Sequence, residues 1–392
     1  MIPNRSISRP VVIGLRLTGI WPDSSYEIIV RCTWVTIIMS AQVFQYRYIM
    51  KNISSGNLAD VVESASTSLP YTLLLFKLIS FWIKRGIFKN MLAGMSHDWI
   101  NSSADKANVD VMMNKAELTY RCSYSIFGVY ITSVFIYAGV FLEFIHQDQD
   151  EFNITSRQLL MKMDLPFAYY ESPVYEYVFL VQFLQLLSVG IGIAIFDALI
   201  ITLIFHIGGQ IEILHKALEG ISVKDEKHGS LRNVNKSLID RHYRIILNSE
   251  YIESLFSYIA LVQLLCNTVV MCGIGFLIIV AIDSHGDVRI IMKIVLFYIA
   301  ITLEAFLFSY AGEYLSSKSL SLSSSAYGST WYLLKPRNRR VVILLMIRSQ
   351  RRLTITAGKF MDLSMFGFAS VNTHISCTLS SASYVSVLYA RY

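Results

Sequence analysis

Seven stretches of this chain are long and apolar enough to cross a bilayer, and that property limits its fold more than any other. A hydrocarbon core about 30 Å thick takes roughly 20 apolar residues as helix. The stretches lie at about 28–49, 69–88, 122–144, 177–205, 255–282, 292–310 and 363–388. The composition agrees, with 54% hydrophobic and only 16% charged residues, where a soluble domain holds about 25% charged. The expected fold is all-α: a polytopic membrane protein with seven transmembrane helices. The first span carries Arg31 and Arg47 near its ends, which must snorkel. Residues 1–27 show no cleavable leader pattern, so the first span is expected to serve as an uncleaved anchor.

Charge sets the expected orientation. The formal charge is only +6, and its placement carries more information than its size. With the N-terminus in the cytoplasm, the inner segments hold Arg5, Arg9, Arg16, Lys84, Arg85, Lys89, Lys106, Lys115 and Arg121. They also hold the basic residues of 216–244 and 318–359. The outer segments hold only Lys51, Arg157, Lys162, Arg289 and Arg391, and the "HQDQDE" at 146–151 is acidic. The excess of Lys and Arg on one side predicts a cytoplasmic N-terminus and an extracellular C-terminus. This is charge as topology, and nucleic acid is not an expected partner. Of the glycosylation sequons, Asn52 and Asn153 fall outside, while Asn101 and Asn235 fall inside.

The last inner loop contains "RVVILLMIR" at 340–348, too short to span, after Pro336. It is expected to form a short cytoplasmic helix against the inner ends of spans four, five and six, or to lie on the membrane surface. Those spans look longer than the bilayer requires, since "IFHIGGQIEILHKAL" at 204–218 continues an apolar helical pattern past span four. The five cysteines, Cys32, Cys122, Cys266, Cys272 and Cys377, all fall in or beside apolar runs and suggest packing rather than disulfides.

No phosphate loop, zinc motif or nucleophile elbow is present, and the eight histidines are scattered. An enzyme is not expected, nor a cofactor or metal. Three ionisable residues stand inside spans: Lys77, Asp197 and Glu304. Such residues are costly and often functional. They either form a transporter-like relay, or pair with one another or with inner-leaflet water. The outer halves of spans two, three, four and six are rich in aromatic and hydroxyl residues. Ser68, Tyr71 and Thr72 come from span two, and Ser133, Tyr137 and Phe141 from span three. Phe179, Gln182, Phe183 and Leu186 come from span four, and Phe297, Tyr298 and Ile301 from span six. These could line a pocket for a small apolar ligand, or simply face lipid and core. In the last stretch Thr373, Ser376, Ser380, Ser383 and Val387 share one helical face. That face is either a close helix–helix interface or the wall of a pore, in which Val387 would be a hydrophobic ring.

Several motifs together resemble those of the insect odorant receptor family: "ITAGKF" at 355–360, "SYVSVL" at 383–388, "GEYL" at 312–315, "AYGSTWYLL" at 326–334 and "HDW" at 97–99, with Arg121 opening span three. The resemblance implies an odorant-gated, non-selective cation channel at the plasma membrane of a sensory neuron dendrite or cilium. A small volatile organic ligand would bind at Tyr71, Thr72, Ser133, Tyr137, Phe141, Phe183, Tyr298 and Ile301. The last helix would line the pore with Ser380, Ser383, Tyr384, Val387 and Leu388, Val387 taking the gate position three residues after Tyr384. It divides the chain into 1–310, a six-helix odorant-binding bundle with its cytoplasmic loops; 311–362, a cytoplasmic anchor segment; and 363–392, a pore-lining helix. The expected partners are membrane lipid and the family's shared co-receptor in a hetero-tetramer. The stretch at about 208–250, read as a loop, lacks the co-receptor's long insertion, so the chain resembles a tuned receptor. Arg391 departs from the co-receptor's apolar residue there. The alternatives are a metabotropic chemoreceptor, a gustatory-type channel and a secondary transporter. The gustatory branch is disfavoured by the missing Gln-Phe after Tyr384, and a G-protein-coupled receptor by the absence of Asn-Pro. The Asp240-Arg241-His242-Tyr243 stretch is read as lying in a loop after span four.

Overall fold

The computed structural model describes residues 6–22, 26–53, 58–148, 158–221, 231–283 and 288–374. Asn153, Ser380, Ser383, Tyr384, Val387 and Leu388 lie outside them. Short α1 (Arg9–Leu17) precedes α2 (Glu27–Ile53), α3 (Leu58–Ile83), α4 (Arg85–Ser102) and α5 (Lys106–Asp148). There follow α6 (Val174–Glu219), α7 (Leu231–Asp283), α8 (Val288–Gly328) and α9 (Pro336–Gln350). A hairpin of β1 (Thr356–Ala357) and β2 (Met361–Asp362) leads into α10 at 365–374. Among the described residues six helices, α2, α3, α5, α6, α7 and α8, are long and apolar enough to cross a membrane. The start of the seventh expected span is α10.

The spanning helices overrun the bilayer. α5 has 43 residues, α6 46 and α7 53; at 1.5 Å per residue α7 is about 80 Å long. Most of 208–250 is therefore helix, and Asp240–Tyr243 lies within α7, not in a loop. Hydropathy averages fall in these extensions because one face is charged. The other face keeps its apolar spacing: Leu238, Ile245, Ile252, Leu255 and Ile259 are all buried. The extensions, with α4 and α9, form one basic end of the bundle.

The axis of the molecule is α6. Residues 192–211 are buried on every side, as suits a helix apolar all round. It packs against α5, α8, α7, α3, α2 and α1. At the basic end the "HDW" motif joins these helices. Asp98 is buried and meets His206 Nε2 of α6 at 3.3 Å and Arg244 Nε of α7 at 3.3 Å. Trp99 Nε1 donates to Ser6 Oγ at 2.8 Å, tying down the segment before α1.

Pro336 opens α9 at a position where its missing N–H costs nothing. α9 packs on α8 and α7. Val342 and Leu345 are buried, but Leu344 remains 65% exposed, so only one face of "RVVILLMIR" is covered.

The "ITAGKF" segment fastens α10 to the bundle. Gly358 (φ 60) and Lys359 (φ 65) take the two positive-φ positions of a tight turn, which places Thr356 opposite Asp362. Thr356 N donates to Glu253 Oε2 of α7 at 2.8 Å, and Gly358 N to Ser257 O at 2.9 Å. Gly312 of "GEYL" lets the chain pass close to α8: a Cβ there would sit 2.3 Å from Leu363 O. Gly312→Val is expected to cost about 1–3 kcal/mol by overpacking and to lower the thermal midpoint of the detergent-solubilised chain. An unchanged midpoint would show that α10 does not depend on this contact.

Candidate ligand-binding site

The three ionisable residues of the apolar spans meet in the core. Lys77 of α3 is fully buried, with its Nζ 2.7 Å from Glu304 Oε1 of α8 and 3.5 Å from Asp197 Oδ1 of α6. Tyr130 of α5 donates to Asp197 Oδ2 at 2.7 Å. The ammonium also sits over the Phe308 ring, 5.3 Å from its centroid. Each lone ion would cost several kcal/mol in such surroundings. The ammonium offsets one of the two carboxylate charges, the Tyr130 phenol donates to the other side of Asp197, and the cluster joins four helices. Of the sequence readings, mutual pairing is the one this geometry supplies.

The cluster forms one wall of a cavity of about 110 Å³. Tyr130 and Glu304 belong to both. Apart from Met161, the rest of the lining comes from the halves of α3, α5, α6, α7 and α8 remote from α4 and α9. From α3 come Pro70, Tyr71 and Leu73, from α5 Ser133, Val134 and Tyr137, and from α6 Leu186, Val189, Gly190 and Ile193. α7 gives Cys266, Asn267 and Val270, and α8 gives Phe297, Ala300 and Ile301. The walls are mainly apolar, with hydroxyls, one amide and one carboxylate, a composition that holds small ligands by shape and orients them by one or two hydrogen bonds.

Four of the eight residues expected to bind ligand therefore line this cavity: Tyr71, Ser133, Tyr137 and Ile301. The other four lie elsewhere. Thr72 accepts from Gln42 Nε2 at 2.6 Å and bonds Tyr46 Oη at 2.8 Å, on the side of α3 that meets α2. Phe141 stacks on Phe179, and Phe183 packs edge-on against Phe135. Tyr298 is not in the lining and packs against the cluster of Val270, Met271, Ile274 and Ile301. Asn52 is half-buried, its Nδ2 donating to Tyr48 O at 2.9 Å.

Sequence reasoning missed α7 and the segment before α6. That segment folds over the cavity and contributes Met161, which is buried. Gln182 holds the Met161 backbone at both ends, accepting from its N–H at 3.3 Å and donating to its C=O at 3.1 Å. Tyr71 Oη donates to Met161 Sδ at 3.2 Å. Next to it Asp164 pairs with Arg47 at 3.2 Å and Lys51 at 3.3 Å, and Lys162 meets Glu63 at 2.8 Å and also Asp60. Burial opposes the Lys162 charge, but Glu63 and Asp60 more than offset it and hold its pKa above the ordinary lysine value. Buried Gln45 and Gln182 were the available signal, since buried amides in a span require partners.

Lys77→Met leaves two carboxylates buried without their cation. It is expected to destabilise the chain by about 3–5 kcal/mol, read as loss of monodisperse protein and a lower thermal midpoint. Adding Asp197→Asn and Glu304→Gln should restore much of the loss. A neutral single variant would mean that the carboxylates do not rely on Lys77.

Comparison with known proteins places this architecture. The family model described as 7tm Odorant receptor matches residues 57–373. Odorant receptor 82a of Drosophila melanogaster is 24% identical over 52% of this chain and 52% of its own length. Odorant receptor 10 of Aedes albopictus is 27% identical over 52% and 53%. In these two matches the chain spans about half the length of the relative. Odorant receptor 13a of Drosophila melanogaster is 21% identical over 100% of this chain and 97% of its own. Among solved structures, the insect olfactory receptor OR5 from Machilis hrabei in complex with eugenol superposes with a TM-score of 0.73 at 17% identity, covering 97% of each chain.

Proposed function

The chain belongs to the 7tm odorant receptor family, and from that premise we propose that it is the ligand-binding subunit of an odorant-gated, non-selective cation channel. The observation that carries this reading is the cavity of about 110 Å³ between α3, α5, α6, α7 and α8, with Met161 in its lining. Its size and mixed lining suit a small volatile with one polar group. The Machilis receptor, whose fold this chain shares, is solved with eugenol.

A ligand can shift a conformational equilibrium only by binding one state better than the other. In this reading the ligand acts on α7 and α8, which also hold the start of α10. The hairpin at 356–362 anchors α10 to α7, and Gly312 seats it on α8. Small displacements of these helices would reach α10 and the residues beyond it. For the residues beyond α10 the resemblance implies a pore wall at Ser380 and Ser383, and a gate at Val387, with Tyr384 and Leu388, that opens by widening. The resemblance supplies those roles, together with a tetramer shared with the co-receptor. The basic end lies in the cytoplasm of a sensory neuron's plasma membrane, and 311–362 anchors the subunits. The exposed apolar side chains of α2, such as Ile28, Val35, Met39 and Val43, face lipid.

Two substitutions test separate halves of this reading. Ile301→Trp should fill the cavity and raise the half-maximal concentration of an activating volatile about tenfold or more, with surface expression unchanged. An unchanged dose–response curve would remove the cavity from ligand binding. Val387→Trp should abolish evoked current while co-purification with the co-receptor persists; normal currents would displace the gate from Val387.

A further inference from the structure

A second cavity, of about 40 Å³, lies between α7, α8 and the start of α10. Asn267 lines this cavity and the ligand cavity alike. Gln263, one turn earlier on α7, lines only the second, and is 2% exposed. Neither atom of its amide, Oε1 or Nε2, has a hydrogen-bond partner, and neither does Nδ2 of Asn267. Three buried amide atoms without partners beside one void are unusual, because each forgoes about 1–3 kcal/mol and native interiors satisfy nearly all such groups.

The void has the size and chemistry to satisfy them. A water needs about 10–15 Å³ of such space and two to four polar partners, so 40 Å³ accommodates about three waters, or one alcohol of similar bulk. Thr268, Ser309 and Ser364 add hydroxyls to the lining, Asp362 a carboxylate and Asn372 an amide, while Phe308, Phe368 and their apolar neighbours form the rest of the wall. A hydroxyl both donates and accepts, which matches the two unpartnered atoms of the Gln263 amide. A larger odorant would not fit.

We propose that this cavity is a second binding site, for a hydroxyl-bearing small molecule held by Gln263 and Asn267. Water is its resting occupant, a short-chain alcohol can replace it, and the bound hydroxyl links the ligand cavity to α10. The coupling half of this proposal rests on the channel reading above; the occupancy half does not. Asn267 is the shared element: ligand in the first cavity contacts its side chain, and the bridged hydroxyl carries the change to Gln263 and α10.

The test uses the full chain assembled with the co-receptor. A single-particle structure should show density about 2.7–3.2 Å from the Gln263 amide, absent in Gln263→Leu. A void without density, or an amide turned onto a protein group, overturns the site. Heating experiments then read volatile binding independently of current. Gln263→Leu should keep the wild-type stabilisation by an activating volatile and shift the current dose–response by about fivefold or more. Identical dose–response curves overturn the coupling. Absence of volatile stabilisation in the wild-type chain would defeat the channel reading while leaving the density to decide occupancy. Ethanol should shift the wild-type dose–response but not that of Gln263→Leu; equal shifts in both would overturn the alcohol and leave water as the occupant. Where Gln263→Leu fails to assemble, Gln263→Met, unbranched and closer in shape, is read the same way.

Discussion

The buried contact between Lys77 and its two carboxylates is the constraint on which the bundle depends. One ammonium, two carboxylates and a phenol come from α3, α6, α8 and α5, and each is nearly or wholly removed from solvent. Apolar contacts between spanning helices are permissive, because lipid and protein are about equally apolar. An ion buried in such an interior permits only arrangements in which its partner is present. The cluster therefore fixes how four helices are rotated about their own axes, and rotation decides which residues face the cavity.

The cavity's lining follows from that rotation. On α8, steps of three and four back from Glu304 lead to Ile301, Ala300 and Phe297, all in the wall. On α6, the same steps back from Asp197 lead to Ile193, Val189, Gly190 and Leu186. On α3, Lys77 leads to Leu73 and Pro70. The polar cluster and the apolar cavity are thus successive segments of the same helix faces. One segment is filled by ion pairs and the next is left open.

This geometry explains what could be read from the sequence and what could not. The seven spans and the short helix after Pro336 follow from hydropathy and a helix-start signal, both local properties. Lys77, Asp197 and Glu304 stood out because burial of charge is costly, but nothing local says that three residues up to 227 positions apart are partners. Aromatic enrichment pointed to the half of the bundle that holds the cavity, without its rotation. Tyr298 and Thr72 were grouped with Ile301 and Tyr71, although a single residue step turns a side chain by about 100°. Taking the three ions as markers of the inward face would have set Tyr298 aside in favour of Phe297. Met161 was beyond reach, since it belongs to no span and its place depends on the Gln182 amide. That spans four, five and six overrun the bilayer was legible in "IFHIGGQIEILHKAL" at 204–218; the extension of α5 and the full length of α7 were not, because charged faces lower the average hydropathy while the apolar spacing persists. "GEYL" and "ITAGKF" were recognisable as patterns; their physical content, a close helix approach at Gly312 and a positive-φ turn at Gly358, required the fold.

The central claim is that a volatile ligand in this cavity opens an ion path through the same assembly, with no intervening enzyme or nucleotide. The most direct measurement is current across a planar bilayer holding only the purified chain and the co-receptor, in symmetrical salt without nucleotides. The account predicts volatile-evoked steps of current that reverse close to zero voltage and carry sodium and potassium alike. Silent bilayers, with responses restored only by cytosolic signalling components, would contradict it.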